Sequence, residues 1–110
     1  MAQVYKVLGQ QRPAAAGWED AYTVPAATSS IVSTIVITNT DTVSSTFGIR
    51  VAIAGAVAAQ KQTISNDVAI DANGMVTLTL GITLATTDVI RVYSASGFIN
   101  FNIFGTEITA

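Results

Sequence analysis

The only adjacent acidic pair in the chain is Glu19–Asp20, and it directly follows the single tryptophan, Trp18. Two carboxylates can share the work of glycoside cleavage or hold a hard cation, and an indole beside them offers a surface on which a sugar ring can stack. Neighbouring residues on a strand point to opposite sides, so the two carboxylates converge only if the segment is a loop. A solvated loop anchored by Trp18, to the core or to a neighbouring subunit, is the simpler reading. Asp67, Asp71 and Asn73-Gly74 make a second oxygen-rich stretch. A calcium loop of the EF-hand type wants oxygen ligands at its first, third and fifth positions and a glutamate at its twelfth. Counted from Asp67, the third position is Ala69 and no glutamate stands at the twelfth, so this stretch reads as a turn. Thr86-Thr87-Asp88 precedes a β-branched, alternating run and reads as the turn into a strand. Arg50 and Arg91 each interrupt an apolar alternation. They either lie along the outer face of a sheet in solvent or pair with acids there or across a subunit boundary.

The residues that are missing narrow the chemistry further. The chain has no histidine and no cysteine, which removes Ser-His-Asp and Cys-His nucleophiles, disulfides, and zinc or iron–sulfur centres built on those ligands. Five basic residues stand against seven acidic ones, for a net charge of −2. Lys6, Arg12, Arg50, Lys61 and Arg91 are too scattered to form the dense positive field that a phosphate backbone demands, so nucleic-acid binding is not expected. No set of residues assembles a catalytic centre, and no cofactor or metal is implied. The expectation is a protein that is not an enzyme.

These residues must be carried by a chain of 110 residues, 50% hydrophobic and only 11% charged. That length suits one domain, 1–110. Ordinary soluble domains carry about 25% charged residues, so this surface has to be built from Thr, Ser, Asn, Gln and Ala, with apolar groups left over. Such a surface is best covered by other subunits. Lys6 interrupts the apolar start before it reaches signal-peptide length. The long uncharged stretches Ala21–Thr40 and Ala72–Thr87 are broken by Thr, Ser, Asn, Gly or Pro, unlike a membrane-spanning helix. No membrane association is expected.

The dominant period is two. Ile31–Thr38 places Ile31, Ile35 and Ile37 on one face, and Phe47, Ile49, Val51 and Ile53 alternate with Gly48, Arg50 and Ala52. β-Branched residues pack well on a pleated surface, so these runs are strands. Val4–Leu8, Ala21–Val24, Met75–Leu80, Val89–Tyr93 and Phe98–Ile108 follow the same rule. Turn chemistry separates them: Asn39–Thr42, Ala72-Asn73-Gly74, and Ser94–Gly97 as a hairpin loop. Ala52–Gln62 is the one helix-compatible stretch, but Gly55 and the preceding alternation make it a strand end, a loop and a strand start. The prediction is all-β: a single antiparallel β-sandwich, jelly-roll or immunoglobulin-like, of about 7–8 strands. Its inward set is Ile35, Ile37, Ile49, Val51, Leu78, Leu80, Val92 and Phe101. Phe98 and Phe104 have the opposite parity to Phe101 and face elsewhere, onto a neighbouring subunit. Residues 1–16 are expected as an N-terminal arm, or else as a first strand and loop, with Val4, Tyr5, Val7 and Leu8 as anchors on a neighbour.

Taken together, Gln3–Gln10, Tyr22–Ala27, Ser33–Asn39, Phe47–Ala52, Leu80–Tyr93 and Phe101–Glu107 resemble short structural proteins of tailed bacteriophages. The likeness rests on strand-and-turn patterns over nearly the full length and brings no catalytic residues with it. It implies a virion component present in many copies: a decoration or cement protein on the capsid, partnered by the major capsid protein, or a tail, baseplate or fibre component. Low charge and two-sided apolar strands point to a homo-oligomer, a trimer before a dimer. A carbohydrate-binding β-sandwich with Trp18, Tyr22 or Tyr93 as its stacking platform is the alternative from a different class.

Overall fold

Alternating β-branched and aromatic side chains give strands one apolar face each, and that face must be buried against another sheet. The computed structural model describes residues 2–109; Met1 and Ala110, the ends of the expected domain, lie outside the described residues. Nine strands are formed: β1 (Ala2–Gln11), β2 (Gly17–Thr23), β3 (Thr28–Asn39), β4 (Ser45–Ala52), β5 (Thr63–Ile70), β6 (Met75–Leu78), β7 (Ile82–Leu84), β8 (Val89–Ser94) and β9 (Ile99–Thr109). Between β4 and β5 lie two 3-10 turns, Ile53–Gly55 and Gln60–Gln62, where a strand end, loop and strand start were expected.

All pairings are antiparallel. One sheet, here called A, runs β1-β9-β3-β6 with β7 also paired to β3; the other, B, runs β2-β8-β4-β5. β6 pairs with the second half of β3 and β7 with its first half, so the two act as one edge strand broken at the Gly81 turn. Counted that way there are eight strand positions. The chain passes between sheets at nearly every connection, and this interleaved order is that of a jelly roll. The immunoglobulin-like alternative is set aside, because its sheets are ordered differently. Ser94–Gly97 is likewise no hairpin: β8 lies in sheet B and β9 in sheet A, so this turn carries the chain across the sandwich.

The core is filled by Ile35, Ile37, Ile99, Phe101 and Ile103 from sheet A and by Phe47, Ile49, Ile90 and Val92 from sheet B. Phe47 and Phe101 meet edge-to-face with ring centroids 6.1 Å apart, an arrangement aromatic pairs favour. Of the expected inward set, Ile35, Ile37, Ile49, Val92 and Phe101 are buried. Val51 and Leu78 are half-buried against the core. Leu80 is not inward. β6 ends at Leu78, and Leu80 stands 47% exposed in the turn that Gly81 completes at φ +61°.

Two β-bulges explain the other departures. On β3 the register shifts between Val32 and Thr34, and on β1 between Val7 and Gly9, both beside Phe104 and its immediate neighbours in β9. An extra residue reverses which side chains face inward. Thr28, Ser30 and Val32 are therefore buried before the β3 bulge, and Ile35 and Ile37 after it. Ile31, expected on the same face as Ile35 and Ile37, is on the opposite one and 41% exposed.

Residues 2–11 are the edge strand β1, paired with β9 from Ala2↔Thr109 to Gln11↔Phe101 within the same chain, which is the first-strand-and-loop alternative and not an arm ordered by a neighbour. Leu8, expected as a surface anchor, is the bulge residue and belongs to the core at 8% exposure.

Candidate functional site

The outer face of sheet B gathers most of the residues that drew attention in the sequence. Trp18 lies in strand β2, where a loop was expected, and pairs with Tyr93 of β8; Tyr93 pairs in turn with Gly48 of β4. The Trp18 and Tyr93 rings are 5.3 Å apart at 40°. A Cβ on Gly48 would sit 3.0 Å from the indole Cη2, so the bare glycine is what lets the ring lie down across the sheet. The Arg50 guanidinium lies 4.3 Å over the indole, a favourable cation–π geometry, and its Nε donates to Thr63 Oγ1 at 3.3 Å. Trp18 is thus occupied by its own chain.

Glu19 and Asp20 diverge, as neighbours on a strand do. The Glu19 carboxylate accepts the Ala14 backbone N–H at 2.7 Å and the Gln11 side-chain amide, fixing the β1–β2 turn. Asp20 accepts Arg91 Nε at 3.1 Å. Arg91 also donates to the carbonyls of Ala56 (2.7 Å) and Gly55 (3.2 Å), so it ties β2 to the first 3-10 turn. Of the Asp67–Gly74 stretch, Asp67 lies in strand β5 and only Asp71–Gly74 forms the expected turn: Gly74 N–H donates to the Asp71 carbonyl at 2.9 Å, and Asn73 holds φ +55°. Thr86-Thr87-Asp88 is the turn into β8, as expected, but the sequence gives the Asp88 carboxylate no role of its own. Buried to 9% exposure, its carboxylate accepts the backbone N–H groups of Ala54 and Ala85, each at 2.9 Å, and pins two loops. Its position three residues after Ala85 at a strand entrance was the available signal.

Tyr22, considered as a sugar platform, is buried. Its hydroxyl donates to Glu107 Oε2 at 2.7 Å and lies 2.6 Å from Ser30 Oγ, which therefore donates to the phenol. Lys6 completes the set 3.2 Å from Glu107 Oε1. Burial, with lesser help from Glu107 and opposed by Ser30, pushes the Tyr22 phenol up to about 12. The Tyr22 hydrogen bond, helped by Lys6, holds the Glu107 carboxyl below its usual value against some loss of solvation.

The outer face of sheet A divides into two halves. At one end Tyr5 pairs with Thr106, Val7 with Phe104, and Ile31 with Thr106, so Tyr5, Val7, Ile31 and Phe104 share one exposed side of β1, β9 and β3. Tyr5 is 80% exposed; Val7 and Ile31 are exposed and Phe104 half-buried. Val4, also exposed, has the opposite orientation to Tyr5 and lies opposite Glu107. At the other end the same three strands present amides and hydroxyls. Gln10 pairs with Asn102 and Asn100 with Thr38, in a shallow groove that Arg12 and Thr40 also line. Phe98 flanks this end, exposed, with the Arg12 guanidinium 5.2 Å over its ring. The expected interface residues are therefore not one site. Tyr5, Val7 and Phe104 cluster, while Val4, Phe98 and Trp18 stand apart and Leu8 is internal. No protein-family model matches the chain, and no curated protein matches it in sequence.

Proposed function

We propose that this chain is a non-enzymatic structural protein of a tailed-phage virion that decorates or cements the capsid lattice. The observation that carries the reading is the apolar half of the sheet A outer face, Tyr5, Val7, Ile31 and Phe104, beside the open edge of β1. The β3 bulge turns Ile31 outward instead of into the core, so this patch is a product of the backbone and not leftover composition. An apolar patch next to an unpaired strand edge is a liability in a free monomer and an asset in a permanent assembly. The low charge favours burial against copies of the chain, as a trimer, and against the major capsid protein. The sequence resemblance supports the same particle, and a tail or baseplate position is its alternative.

Copy number on purified particles tests the reading directly. Hundreds of copies, lost together with head stability on deletion, are expected. A few to dozens confined to the tail would move the protein to the alternative, and absence from particles would end the virion reading. Light scattering at about micromolar concentration adds a second check. A mass near three times 11.4 kDa is expected, reverting toward one chain when Tyr5 and Val7 are both changed to Ser.

A further inference from the structure

We propose that the amide-lined groove at the other end of the sheet A outer face binds an uncharged carbohydrate. Asn100 and Asn102 are two apart on β9 and therefore project on the same side, about 7 Å apart along the strand. Gln10 stands directly across from Asn102, and Thr38 directly across from Asn100. Cross-strand neighbours lie roughly 5 Å apart, so the four side chains form a small lattice of neutral hydrogen-bonding groups. Each carboxamide is both donor and acceptor, and that is the property of a sugar's vicinal hydroxyls. Gln10 Nε2 donates to Asn102 Oδ1 at 2.7 Å, which leaves the Gln10 carbonyl and the Asn102 amide nitrogen without an intramolecular partner among the described residues.

Charge decides between ligand classes. No carboxylate is among the described residues lining the groove, so a hard cation has no ligands there. Arg12 is the single cation, and its Nε already donates to the Gly97 carbonyl at 2.8 Å. One partly engaged arginine is a poor match for phosphate or sulfate, which take clustered charge-assisted bonds. A neutral polyol fits. Phe98 supplies an apolar element beside the groove: the residue is 45% exposed, and Arg12, which lines the groove, lies 5.2 Å over one face of its ring. Its backbone is fixed by Thr40, whose N–H and Oγ1 both donate to the Phe98 carbonyl at 3.0 Å. The groove is open along the sheet, so it suits a stretch of chain and not an enclosed monosaccharide. Affinity per copy is set near millimolar by so few contacts, and an array of copies on one particle multiplies it. This site is separate from the apolar half, and it stands or falls independently of the assembly reading.

The test is an amide chemical-shift titration of the isotope-labelled full chain with neutral trisaccharides (maltotriose, cellotriose, chitotriose, mannotriose), with sialyllactose and inorganic phosphate as charged comparisons. Saturable shifts centred on Gln10, Arg12, Asn100 and Asn102 with at least one neutral sugar are expected. Asn102→Ala and Asn100→Ala should each weaken that binding roughly fivefold or more, with melting temperature unchanged. Three results would overturn the proposal: no saturation with any neutral sugar at about ten times millimolar, equal or stronger shifts of the same residues with phosphate or sialyllactose, or binding on the Trp18–Tyr93 face that ignores the asparagine variants. The wild-type shift map decides the matter even if a variant folds poorly.

Discussion

At the residue scale the fold depends on a few polar groups placed where water is scarce. Tyr22, Ser30, Glu107 and Lys6 join sheet B to sheet A at the end of the sandwich. Because the Tyr22 phenol is raised from 10.0 to about 12, its neutral form contributes stability that is fully present below pH 10. That contribution fades as pH climbs toward 12, by on the order of 2 kcal/mol in total. Glu107 acts in the opposite sense. Its lowered value gives stability that is present above about 4.5 and lost as pH falls below it. Chemical denaturation across pH should therefore show losses on both flanks, and Tyr22→Phe should flatten the alkaline one. Asp88 gives a sharper single-site effect. Its removal orphans two backbone N–H groups in partly buried loops, and a buried unpaired donor is costly. Asp88→Ala should lower stability by about 3 kcal/mol, with Asp88→Asn falling between, as read from urea midpoints.

The elements show why some of this was legible in the sequence and some was not. Simple alternation places Ile35, Ile37, Ile49, Val92 and Phe101 inward, and they are buried. The period failed where the backbone inserts a residue. Ser33 and Leu8 carry no residue-type signal for a bulge, so Ile31 and Leu8 were placed on the wrong sides. Strand β5, half-exposed and polar over Thr63–Ile70, lacks the apolar alternation that marks a strand. Two turns were hidden for a different reason: Ala16 and Ala27 occupy the left-handed region, at φ +58° and +54°, where glycine or asparagine is the usual marker. A left-handed alanine carries roughly 1–2 kcal/mol of steric strain, and glycine loses about 0.5–1 kcal/mol more entropy on folding. Ala16→Gly and Ala27→Gly should thus leave stability unchanged or raise it by up to about 1 kcal/mol. The same change at buried Ala52 in β4 should lower it, and thermal melts of the three variants check the contrast.

For the whole molecule, all-β architecture followed from composition and period, but the sheet order did not, because pairing partners a hundred residues apart leave no local trace. The same limit applies to the candidate sites. Trp18, Arg50 and Tyr93 were each visible as types, yet only the β2-β8-β4 order shows that they spend their surfaces on one another. The amide groove was invisible as a site, since Gln10, Thr38 and Asn100 meet only once β9 lies between β1 and β3.

That position of β9 has a consequence in time. In sequence it comes after every other strand among the described residues, yet it lies inside sheet A, bonded on one side to β1 and on the other to β3. Among the described residues, only β4 and β5 are consecutive strands bonded to each other. Nearly all pairing is therefore long-range, a topology that folds in milliseconds to seconds and not microseconds. A growing chain holds β1 and β3 with nothing to join them until the eleven residues of β9 have been made. Sheet A cannot close before β9 has been made, and up to that point β1 and β3 stand with unpaired strand edges exposed. A chain ending at residue 98 should be unfolded by circular dichroism and prone to aggregate, although it keeps eight of the nine strands. Supplying Ile99–Thr109 as a separate peptide should restore the native spectrum; a folded truncation would show that sheet A closes without its central strand.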